Sequence, residues 1–181
     1  MKIEYLADHK AWVHVLAFMH QLEMRTSNER DFRSSVERFS ERTNRDTLPI
    51  ALVAIEDTIP VGSVSLLEFQ LTSYRQLTPW VAGLFVLEQY RGQGIAHRLM
   101  QEMESIALSM GHRTLHLFTH TAEKYYESRG WEPIGTVEPP EVRYPSIVMS
   151  KELQLGKSSL ADSVPIPCES SVKVDYEALD W

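Results

Sequence analysis

The stretch VAGLFVLEQYRGQGIAHRLMQEMESIALSM, from Val81 to Met110, decides the fold of this chain. It opens with a nearly continuous apolar run, Val81 to Val86, which is typical of a central strand covered on both faces. A turn that contains Gly92 and Gly94 follows. Apolar residues then recur every three or four positions as far as Gly111, a C-cap position. The stretch therefore predicts a strand that passes through a glycine turn into a long helix.

The flanking segments predict a mixed α/β domain. Gly83, inside the apolar run, indicates a bulge or a close backbone approach. The strand, helix, strand succession over residues 81–119 predicts a right-handed parallel crossover. In the first helix we expect Trp12, Val15, Leu16 and Met19 to be buried. Predicted strands cover residues 1–6, 50–56, 61–71, 81–86, 114–119, 131–137 and 144–151, and predicted helices cover 8–21, a segment that begins at Asn28, 92–111 and 121–129.

Composition limits the class of protein and its partners. The 181 residues, 43% hydrophobic and 24% charged, fit one globular domain. A net charge of -7 disfavours nucleic acid as a partner, because phosphate binding needs clustered Lys and Arg. No leader pattern occurs, and no run approaches the ~20 apolar residues that span a bilayer, so we expect a cytoplasmic protein without a membrane partner. With Cys168 as its single cysteine and no metal-ligand spacing among its histidines, the chain is expected to hold no metal.

The C-terminal residues differ in composition from the rest of the chain. We expect one domain over residues 1–152 and a tail over residues 153–181, in which Gly156 to Glu169 has the Gly, Ser and Pro content of a linker. The final segment, Val172 to Trp181, contains apolar residues that could dock on the domain or on a neighbouring subunit. A homodimer is therefore one arrangement that the sequence allows.

The turn after the central strand has the features of an anion site. The first N–H groups of a helix have no partner inside it, and the helix dipole adds partial positive charge there. Glycines at 92 and 94 remove the Cβ atoms that would keep a pyrophosphate away from these groups. The P-loop pattern is absent, and a dinucleotide fingerprint is only half matched because position 97 is His. A strand-to-helix turn without a ligand is the alternative interpretation.

Two motifs together resemble the GNAT family of N-acetyltransferases. Arg91, Gly94 and Ala96 fit the pattern R-x-x-G-x-[GA]. The second motif, A-x-x-[FY]-Y-x-x-x-G-[FWY], is matched by Ala122, Tyr125, Tyr126, Gly130 and Trp131. The resemblance extends over residues 1–152 in element order. It implies a mixed, mostly antiparallel twisted sheet with a central parallel strand pair and helices on both faces.

The resemblance also implies a cofactor and the residues that bind it. Acetyl-CoA is the implied co-substrate, with its pyrophosphate on the backbone of the glycine turn and its pantetheine arm along the end of the central strand. The implied cofactor-binding residues are Phe85, Val86, Arg91, Gly92, Gln93, Gly94, Ile95 and Ala96. The implied acceptor is an amine of a small molecule or a protein.

The resemblance assigns one catalytic role more clearly than the other. Tyr126 falls where the family often has the acid that protonates the departing thiolate, and a phenol, with an ordinary pKa near 10, is protonated at neutral pH. Many members place a glutamate base near the central strand, but residues 80–87 contain no carboxylate. Glu68, Glu88 and His120 are the alternatives for a base. The missing carboxylate also motivates another interpretation, a non-catalytic acyl-CoA sensor or assembly module of the same fold.

Overall fold

A computed structural model of the chain describes residues 1–24 and 32–154. Asn28, Cys168, the linker Gly156 to Glu169 and the segment Val172 to Trp181 lie outside the described residues. The elements are β1 (Lys2–Tyr5), α1 (Val13–Met24), α2 (Phe32–Glu41), β2 (Ile50–Glu56), β3 (Ile59–Leu67), β4 (Trp80–Val86), α3 (Ile95–Ser109), β5 (Thr114–Thr119), α4 (Glu123–Glu127), β6 (Glu132–Val137) and β7 (Ser146–Glu152).

The strands form a seven-stranded sheet in the order β1-β2-β3-β4-β5-β7-β6. The neighbours are antiparallel except β4 and β5, which are parallel and joined by α3. The predicted fold class, with its central parallel strand pair, is confirmed. A parallel pair needs a long connection, and the periodic helix after the glycine turn supplies it.

The central strand is bulged and separates from its parallel neighbour. Ser63 pairs with Phe85 and Ser65 with Ala82, so two residues of β4 lie opposite one residue of β3. Gly83 lies in this bulge with φ 70°, as its position inside the strand predicts. On the other side, β4 and β5 share one register pair, Trp80 with His116. The two strands are thus paired where β4 begins and separate towards their carboxyl ends, and we call this opening the fork.

Apolar side chains cover both faces of the sheet. On the first face, α3 and α4 pack on alternate residues of β2 to β5 and β7, including Leu84, Leu117 and Met149. On the second face, α1 and α2 cover the half with β1 to β4, where Phe85 is buried. A third cluster, around Trp80 and Phe118, covers the remaining half of that second face. The fork therefore lies between two packed layers.

Residues 68–79 cover this third cluster, and we call them the covering segment. Tyr74 packs on the cluster and donates a hydrogen bond from its hydroxyl to the carbonyl oxygen of Thr136 at 3.0 Å. The Glu141 carboxylate accepts hydrogen bonds from the backbone N–H groups of Thr72 and Ser73 and from the Ser73 hydroxyl. The bond from the Ser73 hydroxyl is the main cause that lowers the pKa of Glu141 below its usual range. The segment is thus held by hydrogen bonds to β6 and to the connection between β6 and β7.

Two details of the sequence prediction are wrong. Helix α1 begins at Val13, because 3-10 turns at Leu6–Asp8 and Lys10–Trp12 precede it. Its fully buried positions are Val13, Leu16, Ala17 and His20, whereas Val15 is 39% exposed. The early turns rotate the helix by about one position relative to the predicted stripe. The other error concerns β3, which ends at Leu67, so that Glu68 lies just beyond the strand and is exposed.

Replacement of Gly62 by alanine is expected to destabilise the bulged pairing of β3 and β4. A Cβ atom at this position would lie 2.6 Å from the carbonyl oxygen of Phe85, a backbone atom that cannot move without shifting the bulge. Overpacking of this kind costs about 1–3 kcal/mol. Urea unfolding of Gly62→Ala should show a loss in that range.

Gly135→Ala is the matched control for this variant. Its new Cβ would meet the hydroxyl end of the Tyr74 side chain, which can rotate away at the expense of one hydrogen bond. We expect a smaller loss of unfolding free energy than for Gly62→Ala. An equal or larger loss for Gly135→Ala would show that the backbone contact at Gly62 is not the tighter constraint.

Candidate functional site

The glycine turn ends at the N-terminus of α3. Gly94 is the N-cap residue, with φ 75° and ψ 7°, and Gly92 also has φ 75°. The Arg98 N–H donates to the Gly94 carbonyl oxygen at 3.1 Å, which places the free N–H groups of the first helical turn before it. Gly92, Gln93 and Gly94 are exposed. The turn therefore presents donor groups to solvent at the positive end of a 15-residue helix.

Arg91 fixes the turn to the end of β4. Its side-chain Nε donates to the carbonyl oxygen of Val86 at 2.9 Å. The Leu87 N–H donates to the Val61 carbonyl oxygen at 2.9 Å, and a short 3-10 turn over Glu88–Tyr90 follows. The turn and the open end of the fork are therefore held in one fixed relation. Of the predicted cofactor-binding residues, Phe85 and Val86 lie at this end of β4 and the other six follow the 3-10 turn.

Tyr126 lies on the first face of the sheet, in the short helix α4. The Thr119 hydroxyl, at the end of β5, accepts a hydrogen bond from the Ala122 N–H at 3.0 Å and so fixes the start of this helix. The Tyr126 side chain is buried, and its ring packs edge-on against Trp131 with 5.9 Å between centroids. Tyr126 is therefore packed inside the cluster on the first face of the sheet.

The structure separates the three predicted bases. His120 directly follows β5 at the open end of the fork, where its Nδ1 lies 2.8 Å from the carbonyl oxygen of Pro145 and its ring stacks on Tyr144. Glu68 lies at the opposite, closed end, next to the residue that pairs with Trp80. Glu88 is exposed in the turn after β4. The sequence-based proposals for a base thus do not converge on one place.

Arg129 is a residue near the turn that sequence reasoning missed. Burial lowers the pKa of His97, in the first turn of α3, and the charge of Arg129 lowers it further. The guanidinium lies over the Tyr125 ring, 3.7 Å from its centroid, and donates to the Tyr125 carbonyl oxygen at 2.9 Å. The Arg129 guanidinium is therefore held close to His97 at the N-terminus of α3, where it adds a positive charge to that of the helix dipole. The motif treats position 129 as variable, so it gave no signal.

Two features, a metal centre and a membrane-spanning helix, are absent from the part of the chain that the structure describes. Residues 1–24 and 32–154 contain no group of three or more His, Cys, Asp and Glu side chains placed to hold a metal ion. Over the same residues, no helix combines the length and the apolar character that a membrane crossing requires.

Comparison with known proteins gives one family. The Acetyltransferase (GNAT) family matches residues 16–131. No curated protein sequence matches the chain. Similar solved structures include an aminoglycoside 6'-acetyltransferase type Ii, 21% identical, with a TM-score of 0.68 over 85% of this chain and 98% of the other.

Two further structures have the same fold. An aminoglycoside 6'-N-acetyltransferase complexed with coenzyme A is 19% identical, with a TM-score of 0.68 over 85% of this chain and 98% of the other. A putative phosphinothricin N-acetyltransferase is 20% identical, with a TM-score of 0.63 over 84% of this chain and 98% of the other. Because the family match spans most of the described domain, the chain belongs to the GNAT acetyltransferase family and is an acyltransferase with acetyl-CoA as co-substrate.

Proposed function

We propose that the chain transfers an acetyl group from acetyl-CoA to a primary amine of a small molecule, by direct attack and without a covalent enzyme intermediate. The observation that carries this proposal is the fork between β4 and β5, which opens beside the glycine turn at the N-terminus of α3. Similar structures act, by their names, on aminoglycosides and phosphinothricin, which supports a small molecule over a protein as the acceptor.

The residues at the open end of the fork fit a CoA thioester. The exposed N–H groups from Gln93 to Ala96 would bind the pyrophosphate, because a helix N-terminus favours anions. A Cβ atom at Gly92 or Gly94 would project into open space, where the ligand must approach. Beyond the pair Trp80–His116, β4 has no ladder with β5, so an extended pantetheine arm could bind along that side of β4 as a strand would.

The chemistry needs a neutral amine and a proton donor. Bound acetyl-CoA supplies an activated acyl carbon with a thiolate leaving group. The amine nitrogen attacks that carbon, the N–C bond forms and the C–S bond breaks. The Tyr126 hydroxyl would give its proton to the sulfur, since a phenol is protonated at neutral pH whereas a thiol, with a pKa near 8.5, leaves partly as thiolate. The packing of Tyr126 against Trp131 keeps the donor in place.

The proposal is tested by thioester consumption with a panel of amines. The panel should hold aminoglycosides, amino-acid analogues, simple alkyl and aryl amines and lysine peptides, with release of free CoA as the readout. Turnover with a small-molecule amine is the expected result. Tight acetyl-CoA binding without turnover of any amine would support the non-catalytic sensor instead, and an absence of acetyl-CoA binding would contradict both functions.

Gly94→Ala is expected to lose most of its affinity for acetyl-CoA. Alanine rarely adopts the φ of 75° found here, and its methyl group would project into the space above the first helical turn. The turn must then change conformation, and its N–H groups no longer converge on a pyrophosphate. Isothermal titration calorimetry should show a decrease in affinity of tenfold or more.

Gly111→Ala is the control for the backbone strain that alanine causes at a residue with positive φ. Gly111 has φ 90° at the other end of α3, also with no atom near its Cβ position. We expect both variants to lose stability, by about 1 kcal/mol or more, and only Gly94→Ala to lose affinity. Equal affinities in the two variants would mean that the glycine turn does not bind the cofactor.

Tyr126→Phe is expected to lower kcat by about 10²-fold or more while acetyl-CoA affinity is kept. The ring, and therefore the packing against Trp131, is retained, and only the donated proton is lost. Tyr125→Phe is the matched control, since it removes the neighbouring hydroxyl from the same helix. Assays of free CoA release by both variants test the role of Tyr126 as the general acid. Full turnover by Tyr126→Phe would exclude Tyr126 from that role.

A further inference from the structure

His116 lies at the closed end of the fork. It is the β5 residue that pairs with Trp80, and its N–H donates to the Pro79 carbonyl oxygen at 3.1 Å. Its side chain shares a face with Phe118, two positions on, and this is the second face of the sheet. Tyr126 belongs to the cluster on the first face. The two residues therefore lie on opposite sides of the fork.

The His116 ring is buried with an incomplete set of hydrogen bonds. Its exposed fraction is 6%, and Nδ1 is closed off from solvent without a hydrogen-bond partner among residues 1–24 and 32–154. The Trp80 ring lies against it, with 5.7 Å between centroids. Buried polar atoms in proteins are nearly always paired, so an unpaired one requires an explanation, and strain, a bound water or ion, and a catalytic role are the usual ones.

We propose that His116 accepts the proton of the attacking amine, and so acts as the general base of the transfer reaction. This inference rests on the proposed function. An amine that reaches the closed end of the fork from the second face would meet the His116 ring, while the sulfur leaves towards Tyr126 on the first face. Glu68, His120 and Glu88 are exposed. His116 is the buried alternative to them at the point where β4 and β5 begin to separate.

The protons and bonds of this step balance. The neutral amine forms the N–C bond, and one N–H proton passes to Nδ1 of His116. The C–S bond breaks, and the sulfur takes the proton of the Tyr126 hydroxyl. His116 then loses its proton to water and Tyr126 regains one, so the net transfer is from the amine nitrogen to the sulfur. Because Nδ1 is closed off from solvent, a side chain packed around His116 must move before the amine can reach it. Trp80, which packs against the ring, donates its indole N–H to the Leu77 carbonyl oxygen in the covering segment at 2.8 Å.

Burial keeps His116 in the form that a base needs. It lowers the pKa of His116 below the ordinary value for histidine, so that the ring is neutral and able to accept a proton at pH 7. Activity should be complete at pH values above the ordinary pKa of histidine. It should be lost as the pH falls through the lowered pKa of His116. Strand β4 contains no titratable residue. The charged or titratable groups on the other surrounding elements are Glu68, Tyr74, Arg75, Glu132, Lys151 and Glu152.

The test compares two measurements on the unmodified protein. The pKa of the His116 imidazole is measured by NMR in the presence of CoA, and the acid limb of kcat is measured at saturating acetyl-CoA and saturating amine, so that the protonation of the free amine does not contribute. The inference predicts that the two pKa values coincide and lie below the ordinary value. A His116 pKa that differs from the acid limb by about one unit or more would overturn it.

Variants of His116 supply an independent test. His116→Asn keeps a polar group near the position of Nδ1 but cannot accept the proton, so kcat should fall by about 10²-fold to 10⁴-fold and the acid limb should disappear. His116→Gln, with its polar group further out, should behave in the same way. His112→Gln is the matched control and should keep the activity and the acid limb of the wild type. Calorimetry with CoA identifies those variants that retain the fold.

The outcomes separate this inference from the proposed function. An active wild type whose His116→Asn or His116→Gln variant stays within threefold of its kcat, with the acid limb unchanged, overturns the role of His116 and leaves the proposed function intact. A wild type without turnover removes both. Loss of kcat with retained CoA binding supports the role.

Discussion

The candidate site depends on the way β4 and β5 are hydrogen-bonded at one end and separated at the other. Backbone hydrogen-bonding groups inside a sheet are normally paired with the neighbouring strand, and an unpaired edge there is costly. Here the pairing of Trp80 with His116 begins a parallel ladder that the bulge at Gly83 then diverts. An extended ligand bound along this edge of β4 would supply the missing hydrogen-bond partners. The separation of the two strands thus leaves unpaired backbone groups at the candidate site, and these groups favour the binding of an extended ligand.

The bulge in turn depends on a close approach on its other side. The Phe85 carbonyl oxygen comes so near to Gly62 that a Cβ atom there would lie 2.6 Å away. The Arg91 side chain then fixes the end of β4 to the turn that starts α3. This hydrogen bond links strand, turn and helix, so that the proposed pyrophosphate site and the fork keep one relative position. Catalysis by positioning requires such fixed relations.

Much of this architecture was accessible from the sequence. The apolar run to Val86, the glycines and the helical period up to Gly111 each have a local physical cause, and the structure confirms the elements that they predict. The rotation of α1 was missed because two 3-10 turns before Val13 leave no pattern of their own. The local sequence pattern around His116 predicts only that it belongs to a strand. Its unpaired Nδ1 and its place at the fork arise from the pairing of strands far apart in the sequence, which no local pattern contains.

The most direct test of the central claim is backbone amide hydrogen exchange, measured residue by residue with and without CoA. The fork predicts that CoA slows exchange at the amides of Val81 to Val86 that face β5 and at those from Gln93 to His97, while the amides of β2 and β6 change little. Unchanged exchange along β4 in protein saturated with CoA would contradict the claim that the fork is the cofactor site.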